Sequence, residues 1–284
     1  MKYFKPLLFL FLATSILLGC KTNKKEETSA QVNTAANQEQ NSASFSDKID
    51  KSPRHQEWIT LQSNDRELYV FVTYPEKSDA AKTVVAIHEN RGLNDWARYF
   101  TDKLAAEGYI VLAPDLLSNS QDGIKRTTDF ANSDAAREAI YALQEDNVTN
   151  DLDAVYDYAK NMDGANGKVS VVGFCWGGSQ TFRYATNNNE IESANVFYGT
   201  APDDEKALHQ INSPIYGYYG GEDNRVNSTI EKTKSVMDEA GKTYEYEIYD
   251  GAGHAFMRRG AEVDSDAANK EAHDKAWKRL LSVL

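Results

Sequence analysis

A cysteine lies on a predicted sharp turn in the segment Gly-Phe-Cys-Trp-Gly-Gly at 173–178. The apolar, β-branched run 168–172 precedes it and predicts a buried strand, and helix-compatible residues follow over 178–184. Glycines on both sides permit a strained turn and the close passage of neighbouring backbone. The N-terminal dipole of the following helix would favour the thiolate form of Cys175, which is the nucleophilic form. The competing interpretation is a small cysteine that only packs in the core.

An acid and a histidine follow this cysteine, each directly after a strand-like run. Asp223 comes after the run 214–219, and His254 comes after the run 243–249. A nucleophile on a glycine-flanked elbow, then an acid, then a histidine is the chain order typical of α/β-hydrolases. Because each residue follows a strand, the three would meet at the C-terminal edge of a parallel sheet, where open α/β sheets place their sites.

Each member of this candidate triad also has a purely structural interpretation. His254 could be an ordinary loop histidine. Asp223 could be a turn residue, because Gly-Gly-Glu-Asp-Asn at 220–224 is rich in turn formers. Glu222 and Asp250 are rival acids, each one position away from the motif. The order of the three residues along the chain favours a working triad over these separate explanations.

Strand-like and helical patterns alternate along the rest of the chain. Eight runs have the composition of strands, and they lie at 57–62, 67–74, 83–88, 109–113, 168–172, 191–198, 215–219 and 244–249. Helical patterns are clearest at 134–143, 148–162 and 267–284, whereas 115–130 has no clear period and predicts a loop near the site. Repeating β-α units predict an α/β-hydrolase fold with a mostly parallel central sheet of about eight strands and helices on both faces.

The first nineteen residues form a predicted export signal rather than part of the fold. A basic start is followed by the apolar run 6–18, which is short for a membrane span, and Leu-Leu-Gly-Cys at 17–20 resembles the lipobox of bacterial lipoproteins. In this interpretation cleavage precedes Cys20, whose sulfur and amine carry acyl chains, and more than one chain suffices for stable membrane attachment. The alternative is an ordinary signal peptide whose cleavage falls near a cysteine.

The predicted organisation has three parts, which are a lipoprotein signal peptide at 1–19, a lipidated, flexible tether at 20–53 and a catalytic domain at 54–284. The tether is polar and poor in aromatic residues, so it would bury too little apolar surface to offset the ordering of the chain. Lys21 differs from the aspartate that resembles an inner-membrane retention signal. The predicted location is the bacterial cell envelope, lipid-anchored at the periplasmic or surface face of the outer membrane.

Composition argues against several classes of function. The 284 residues include 43 acidic and 31 basic side chains, a formal net charge of −12, so nucleic-acid binding is not expected. Membrane contact is predicted through the lipid anchor only. With Cys20 lipidated, Cys175 is the remaining cysteine, so no disulfide within the chain is expected. His88 and Glu89 lack the second histidine of a metalloprotease motif, so no metal and no other cofactor is predicted. The oligomeric state stays open.

The domain resembles the dienelactone hydrolase family of α/β-hydrolases from about Trp58 to the C-terminus. Four segments in the right order carry this resemblance, which are His-Glu-Asn-Arg-Gly-Leu at 88–93, Gly-Phe-Cys-Trp-Gly-Gly at 173–178, Gly-x-x-Asp-x-x-Val at 220–226 and Gly-x-Gly-His-x-Phe at 251–256. The resemblance implies a carboxymethylenebutenolidase-like carboxylic ester hydrolase. Such an enzyme would cleave ester, lactone or thioester bonds of small substrates through a Cys-His-Asp triad and a covalent acyl-enzyme.

The chemistry of ester cleavage assigns a role to each candidate residue. The Cys175 thiolate would attack the carbonyl, His254 would move the protons, and Asp223 would hold the imidazole in the required tautomer. The tetrahedral oxyanion needs two preorganised donors. The backbone N–H groups of Trp176 and Asn90 are the candidates, because one follows the nucleophile and the other lies in the loop after the third strand.

Two further residues have roles that only the resemblance implies. Glu89 would hydrogen-bond the resting thiol and move when substrate binds, although it could instead be a solvated loop carboxylate paired with His88 or Arg91. Arg258 matches an arginine that binds a substrate carboxylate, whereas the second such arginine has no counterpart over 117–120. With one of two cations missing, we expect neutral esters to be hydrolysed at least comparably to matched carboxylate-bearing lactones.

Two other functions remain open from the sequence. The fold could serve as a non-catalytic, ligand-binding lipoprotein in which the thiol is incidental. It could also carry acyl transfer or peptidase chemistry on the same scaffold. The intact order of nucleophile, acid and histidine argues against the first alternative, whereas fold and motifs do not separate the second from hydrolysis.

Overall fold

The computed structural model describes Met1, residues 44–76 and residues 79–284. Ala43–Leu284 form one compact unit. The predicted signal peptide, Cys20 and most of the predicted tether lie outside the described residues, so the lipid anchor and the envelope location stay predictions. Within the described ranges, no helix combines the length and the apolar character needed to cross a bilayer.

An eight-stranded sheet forms the centre of the fold, in the order β1-β2-β4-β3-β5-β6-β7-β8. The strands are β1 (Gln56–Ser63), β2 (Arg66–Thr73), β3 (Ala81–Ile87), β4 (Ile110–Pro114), β5 (Ala165–Phe174), β6 (Ala194–Phe197), β7 (Ile215–Gly220) and β8 (Tyr244–Tyr249). The pairs β1–β2 and β2–β4 are antiparallel, and the pairs from β4 through β8 are parallel. The predicted α/β-hydrolase fold, with a mostly parallel sheet of about eight strands, is therefore confirmed.

Helices cover both faces of this sheet. They are α1 (Phe45–Asp50), α2 (Asp95–Ala105), α3 (Ser133–Ala142), α4 (Glu145–Asn161), α5 (Trp176–Asn187), α6 (Glu205–Leu208), α7 (Asn224–Asn227), α8 (Ile230–Glu239), α9 (Phe256–Gly260) and α10 (Ala267–Val283). Alternate residues of β3 face opposite layers, with Val85 and Ile87 in the core that includes α4 and Val84 and Ala86 in the core that includes α2. Because both faces are buried, the central strands are continuously apolar rather than alternating.

The described fold begins earlier than the sequence predicted. Helix α1 lies inside the predicted tether 20–53, and the side chain of Ser44 caps it by accepting a hydrogen bond from the Asp47 backbone N–H. Ile49 is buried, and the ring of Phe45 packs on Tyr99 of α2 with centroids 5.1 Å apart. The predicted domain start at residue 54 is therefore corrected to about residue 44, because two apolar side chains on one helical turn are enough to dock this segment.

Candidate active site

Cys175 occupies a strained turn between β5 and α5. Its φ is +55° and its ψ is −115°, a conformation that residues with side chains rarely adopt. The backbone N–H of Cys175 donates to the carbonyl oxygen of Phe197 at 3.0 Å, which ties the turn to β6. Gly177 lies so close to the end of β3 that an added Cβ would be 2.3 Å from the carbonyl oxygen of His88. The packing around the turn therefore holds the cysteine in the conformation of a nucleophile elbow.

Asp223 and His254 meet after β7 and β8, as the sequence predicted. His254 Nδ1 lies 2.5 Å from Asp223 Oδ2, and the aspartate is buried whereas the imidazole is half-buried. Burial lowers the pKa of His254, but the hydrogen bond to Asp223 and the interaction with Cys175 outweigh this effect and raise the pKa to about 9. The imidazole is therefore protonated at neutral pH and lies between the acid and the thiol.

A cavity of about 720 Å³ lies at the C-terminal edge of the sheet. Six of the predicted site residues line it, namely Glu89, Asn90, Cys175, Trp176, His254 and Arg258. Asp223 contacts the cavity through His254, to which it is hydrogen-bonded. Residues that are as much as 169 positions apart in the chain, such as Glu89 and Arg258, thus meet in one site.

Two cavity-lining residues, Trp176 and Asn90, have backbone N–H groups that are candidates to bind a carbonyl oxygen. Trp176 is the first residue of α5, and the N–H of a first helical residue has no partner within its own helix. Asn90 follows β3, and no backbone hydrogen bond of its N–H occurs among the described residues. The close approach of Gly177 to β3 brings these two segments together. The side-chain amide of Asn90 donates to the Tyr141 hydroxyl at 3.0 Å, which orients the loop.

The predicted loop over 115–130 supports the site from behind. The ring of His88 stacks on Trp176 with centroids 5.7 Å apart, and its Nε2 accepts the Leu116 N–H at 3.3 Å. Burial lowers the pKa of His88 despite the nearby Asp115, so this ring is neutral. The Asp115 carboxylate accepts both the N–H and the hydroxyl of Thr127, each at 2.7 Å. These contacts hold the loop 115–130 against the segment after β3 that contains His88 and Asn90. The loop therefore lies near the site, as predicted.

The chain is similar to known proteins over most of its length. The model of the "Dienelactone hydrolase family" matches residues 68–284. The chain belongs to this family. A relative from Escherichia coli K12, named "Putative carboxymethylenebutenolidase", is 31% identical over 237 residues, which are 79% of this chain and 84% of the relative. The "Carboxymethylenebutenolidase" of Pseudomonas putida is 28% identical over 208 residues, which are 71% of this chain and 86% of the relative.

The fold likeness extends to solved structures. A crystal structure from Klebsiella pneumoniae, named as a "Putative Dienelactone Hydrolase", superposes with a TM-score of 0.70 at 24% identity, covering 81% of this chain and 97% of that chain. Likeness at this level of identity concerns the fold alone. Membership of the dienelactone hydrolase family makes the protein a hydrolase and supports an ester or a lactone as the bond that it cleaves.

Glu89 contacts Tyr198 and Arg258 in this structure, and the gating role that the family resemblance implied stays a prediction. Its carboxylate is only 6% exposed, and it accepts hydrogen bonds from the Tyr198 hydroxyl at 3.3 Å and from Arg258 Nε at 3.1 Å. Burial raises the pKa of Glu89, against the opposing effects of Arg258, His254 and Tyr198. Among the described residues, these two donors replace the predicted contact with the Cys175 thiol, because a guanidinium attracts a buried carboxylate more strongly than a thiol does.

Arg258 is paired on both sides of its guanidinium. Its Nε donates to Glu89, and its Nη1 donates to Glu262 Oε1 at 2.7 Å. The charge of this arginine is thus matched by two carboxylates, so the free carboxylate-binding residue that the resemblance implied is engaged within the protein. Arg126, the first arginine after the expected second position, stacks on the ring of Trp58 at 4.6 Å and does not line the catalytic cavity.

Sequence reasoning missed several residues of the cavity wall, and three of them carry groups that could meet a substrate. Tyr198, Arg225 and Arg259 all line it. Tyr198 has a φ of +43°, and its ring lies edge-on to His254 with centroids 5.0 Å apart. The signal for Tyr198 was present, because it follows β6 directly at the same sheet edge. Arg225 and Arg259 lie within two residues of predicted site residues, and only the fold shows that they face the cavity.

Among the residues that the structure describes, no group of three or more histidine, cysteine or acidic side chains is arranged to hold an ion. The groups available for chemistry in the cavity are instead the thiol of Cys175, the Asp223–His254 pair and backbone donors. The prediction that the enzyme uses no cofactor stays a prediction.

Proposed function

We propose that this member of the dienelactone hydrolase family cleaves ester, lactone or thioester bonds of small substrates through Cys175, His254 and Asp223, with a covalent acyl-enzyme. The observation that carries this proposal is the 2.5 Å contact between Asp223 and His254 beside an elbow cysteine in one cavity. Family membership supports the bond class. The strained backbone of Cys175 supports its role, since such strain clusters at working residues.

The first step is attack of the thiolate on the carbonyl carbon. Because the pKa of His254 is raised to about 9, the imidazole carries a proton at neutral pH. We infer that this proton comes from the Cys175 thiol, which makes a thiolate–imidazolium pair. As the C–S bond forms, the carbonyl π electrons move onto oxygen. The N–H groups of Trp176 and Asn90 would donate hydrogen bonds to this oxyanion.

The second step expels the leaving group and leaves an acyl-enzyme. The carbon–oxygen bond of the tetrahedral intermediate breaks, and His254 gives its proton to the departing alkoxide. The neutral imidazole then takes a proton from water, whose oxygen attacks the thioester carbon. Collapse of the second intermediate releases the carboxylic acid and returns the proton and the thiolate to the starting pair. Asp223 holds Nδ1 throughout, so that the other ring nitrogen faces the reacting atoms.

Glu89 fits this cycle as a positioning residue. With its carboxylate held by Tyr198 and Arg258, it leaves the thiol of Cys175 free to interact with His254. The exchange of Glu89 between these donors and the resting thiol, which the family resemblance implies, is part of the proposal. Burial raises the pKa of Glu89, which favours protonation of its carboxyl during such an exchange.

The decisive test removes the nucleophile. Cys175→Ala should lower kcat by at least about a thousandfold on p-nitrophenyl acetate, because the remaining groups provide only residual stabilisation. The melting temperature serves as the control for folding. In the native enzyme, iodoacetamide should label Cys175 and abolish activity. The intact mass of the enzyme, measured during turnover of a slow substrate, should show the acyl adduct. Undiminished ester hydrolysis by the alanine variant would contradict the mechanism and would favour a binding protein with incidental turnover.

We also propose that the chain is a lipoprotein of the bacterial cell envelope, anchored through Cys20. The support is the lipobox-like segment at 17–20. Cys20→Ala should move the protein from the membrane fraction to the soluble fraction while ester hydrolysis is retained. A wild-type mature protein that is soluble without detergent would overturn this proposal and would leave the catalytic proposal untouched.

A further inference from the structure

We propose that Arg225 and Arg259 form an anion-binding site on the leaving-group side of the catalytic cavity. The preferred substrates would then be esters or lactones whose alcohol portion carries a negative charge. This inference rests on the proposed function, because it uses the direction in which the alcohol departs. It assigns substrate recognition to residues other than Arg258, the arginine that the family resemblance indicated.

The charges in the cavity wall are strongly unbalanced. Four arginines line the cavity, namely Arg91, Arg225, Arg258 and Arg259, and the acidic residue in the same wall is Glu89. This excess of cations occurs in a chain with a formal net charge of −12. A wall with such a local reversal of sign would attract an anionic substrate and repel a cationic one.

Two of these four arginines are already neutralised by carboxylates. Arg91 pairs with Asp134 at 3.2 Å. Arg258 pairs with Glu89 and with Glu262, at 3.1 and 2.7 Å. Their donors therefore serve mainly to hold the cavity wall together.

The other two arginines have charges left to offer a ligand. Among the described residues, no ion pair includes Arg225 or Arg259, although both are exposed and line the cavity. A guanidinium presents several donors in a planar fork that fits a carboxylate or a phosphate. These two residues are therefore the cations available for binding a substrate anion.

Their place in the fold puts both arginines on the histidine side of the nucleophile. Arg225 belongs to α7, two residues after Asp223. Arg259 belongs to α9, and its Nη1 lies 3.4 Å from the position that a Cβ on Gly253 would take, next to His254. The oxyanion donors come instead from the loop after β3 and from α5. Since His254 would protonate the departing alcohol, an anion held by these arginines belongs to the alcohol portion.

This arrangement replaces the expectation that neutral and anionic substrates would be hydrolysed comparably. That expectation counted Arg258 as a free cation and the second cation as missing. In this proposal Arg225 and Arg259 bind the substrate anion, because Arg258 is paired with two carboxylates. Both guanidiniums are solvent-exposed, so they bind an anion with little loss of hydration, and we expect each to contribute about tenfold in kcat/KM at low ionic strength.

The test compares three matched substrates, each corrected for its uncatalysed rate of hydrolysis. 3-Acetoxybenzoate carries its charge on the alcohol portion, its methyl ester is neutral, and monophenyl succinate carries its charge on the acyl portion. In the wild type, kcat/KM for 3-acetoxybenzoate should exceed that for the methyl ester by at least about tenfold. Arg225→Gln and Arg259→Gln should each lower this ratio by about tenfold. Arg137→Gln removes an equally exposed arginine outside the catalytic cavity and should leave the ratio unchanged.

The opposite results would overturn the proposal. A wild-type ratio near one, or a ratio that neither variant changes, would show that the arginines do not select the substrate. Loss confined to monophenyl succinate would place the anion on the acyl side instead. If Arg137→Gln lowered the kcat/KM ratio equally, the preference would come from the overall charge of the protein and not from a site.

A binding measurement separates this proposal from the catalytic one. Calorimetric titration of the Cys175→Ala enzyme with 3-hydroxybenzoate, the alcohol product, should give a Kd that Arg225→Gln and Arg259→Gln each raise by about tenfold on that background. If this dependence appears but the wild type hydrolyses none of the esters, the proposed function fails and the anion site stands. If hydrolysis depends on Cys175 but the Kd of 3-hydroxybenzoate is the same with and without the two arginines, the proposal of an anion site is wrong and the proposed function is retained.

Discussion

Buried acids occur in two regions of this molecule, and their surroundings differ. Asp102 on α2 lies away from the cavity and is enclosed by donors from the segment before β1 and from its first residue. Its carboxylate accepts Arg54 Nε at 2.9 Å, Arg54 Nη2 at 2.7 Å, Gln56 Nε2 at 3.1 Å and the Ser52 hydroxyl. The two ionic side chains are only 4% and 12% exposed. This cluster is closed, so it joins two segments of chain and has no opening to a ligand.

The acids of the cavity have partners that remain accessible. The side chains of Asp223 and Glu89 are 6% and 8% exposed, whereas their partners His254 and Arg258 are 31% and 32% exposed. Each pair therefore has one member sheltered in the protein and one facing the cavity. Burial of an acid therefore does not by itself mark a catalytic site. What distinguishes the cavity is that the partner of the acid can also meet a substrate.

The largest effect is expected from opening the closed cluster. Asp102→Ala leaves the largely buried Arg54 guanidinium with the exposed Glu76, at 3.3 Å, as its remaining counter-ion, and we expect a loss of about 3 kcal/mol in the free energy of unfolding. Urea denaturation would measure this loss. Because the cluster does not line the cavity, kcat/KM of the remaining folded protein should change less than about twofold.

A surface ion pair provides the control for that experiment. Glu271 and Lys275 pair at 2.7 Å with side chains 67% and 62% exposed, so Glu271→Ala should cost at most about 0.5 kcal/mol. If Asp102→Ala lowered the free energy of unfolding as little as this control, the closed cluster would not contribute much to the stability of α2 in the fold. If it abolished activity in a fully folded protein, the contrast between the two regions would fail.

The next effect is expected from the acid that orients the histidine. Asp223→Asn keeps the shape of the side chain but removes the charge that stabilises the imidazolium, so kcat should fall by about a hundredfold or more. Because Asp223 helps to raise the pKa of His254 to about 9, the alkaline limb of the pH–rate profile should also move to lower pH. A profile measured between pH 5 and 10 would check both results, and an unchanged alkaline limb would contradict the assignment.

The Asp223–His254 pair should also make the stability of the protein depend on pH. The pKa of His254 is about 9 in the folded state, against an ordinary value of 6.5. Stabilisation from the raised pKa is fully present below the ordinary value and is lost as pH rises through about 9. In Asp223→Asn the melting temperature should vary less over this window than in the wild type. Melting curves of both proteins in matched buffers would measure the difference.

The smallest effect is expected from neutralising Glu89. Glu89→Gln keeps the volume and one acceptor for Tyr198 or Arg258, so kcat/KM for a neutral ester should fall by at most about tenfold. Glu262→Gln, which changes the other carboxylate bound to Arg258, is the matched control and should have a still smaller effect. A thousandfold loss in Glu89→Gln alone would show that catalysis requires the charge of this carboxyl, and its assignment as a positioning residue would be wrong.

Local patterns were enough to predict much of the fold and to bring the candidate triad residues to one edge of the sheet. The eight strands and the elbow at 173–178 are confirmed because apolar β-branched runs and flanking glycines determine local conformation. Asp223 and His254 were found because parallel strands end at one edge, so residues that follow strands converge. Helix α1 was not predicted, because its docking depends on Tyr99 and the rest of α2, which lie some fifty positions away in the chain.

The sequence by itself determined the α/β architecture and the order of nucleophile, acid and histidine, since both follow from local composition and chain order. Only the tertiary structure decided which charges in the cavity are satisfied. Arg258 and Glu89 are 169 positions apart in the chain, and their pairing depends on how α9 lies against the loop after β3. Electrostatic pairing is a property of distance in space, so only the fold shows that Arg258 has two carboxylate partners whereas Arg225 and Arg259 have no ion pair among the described residues.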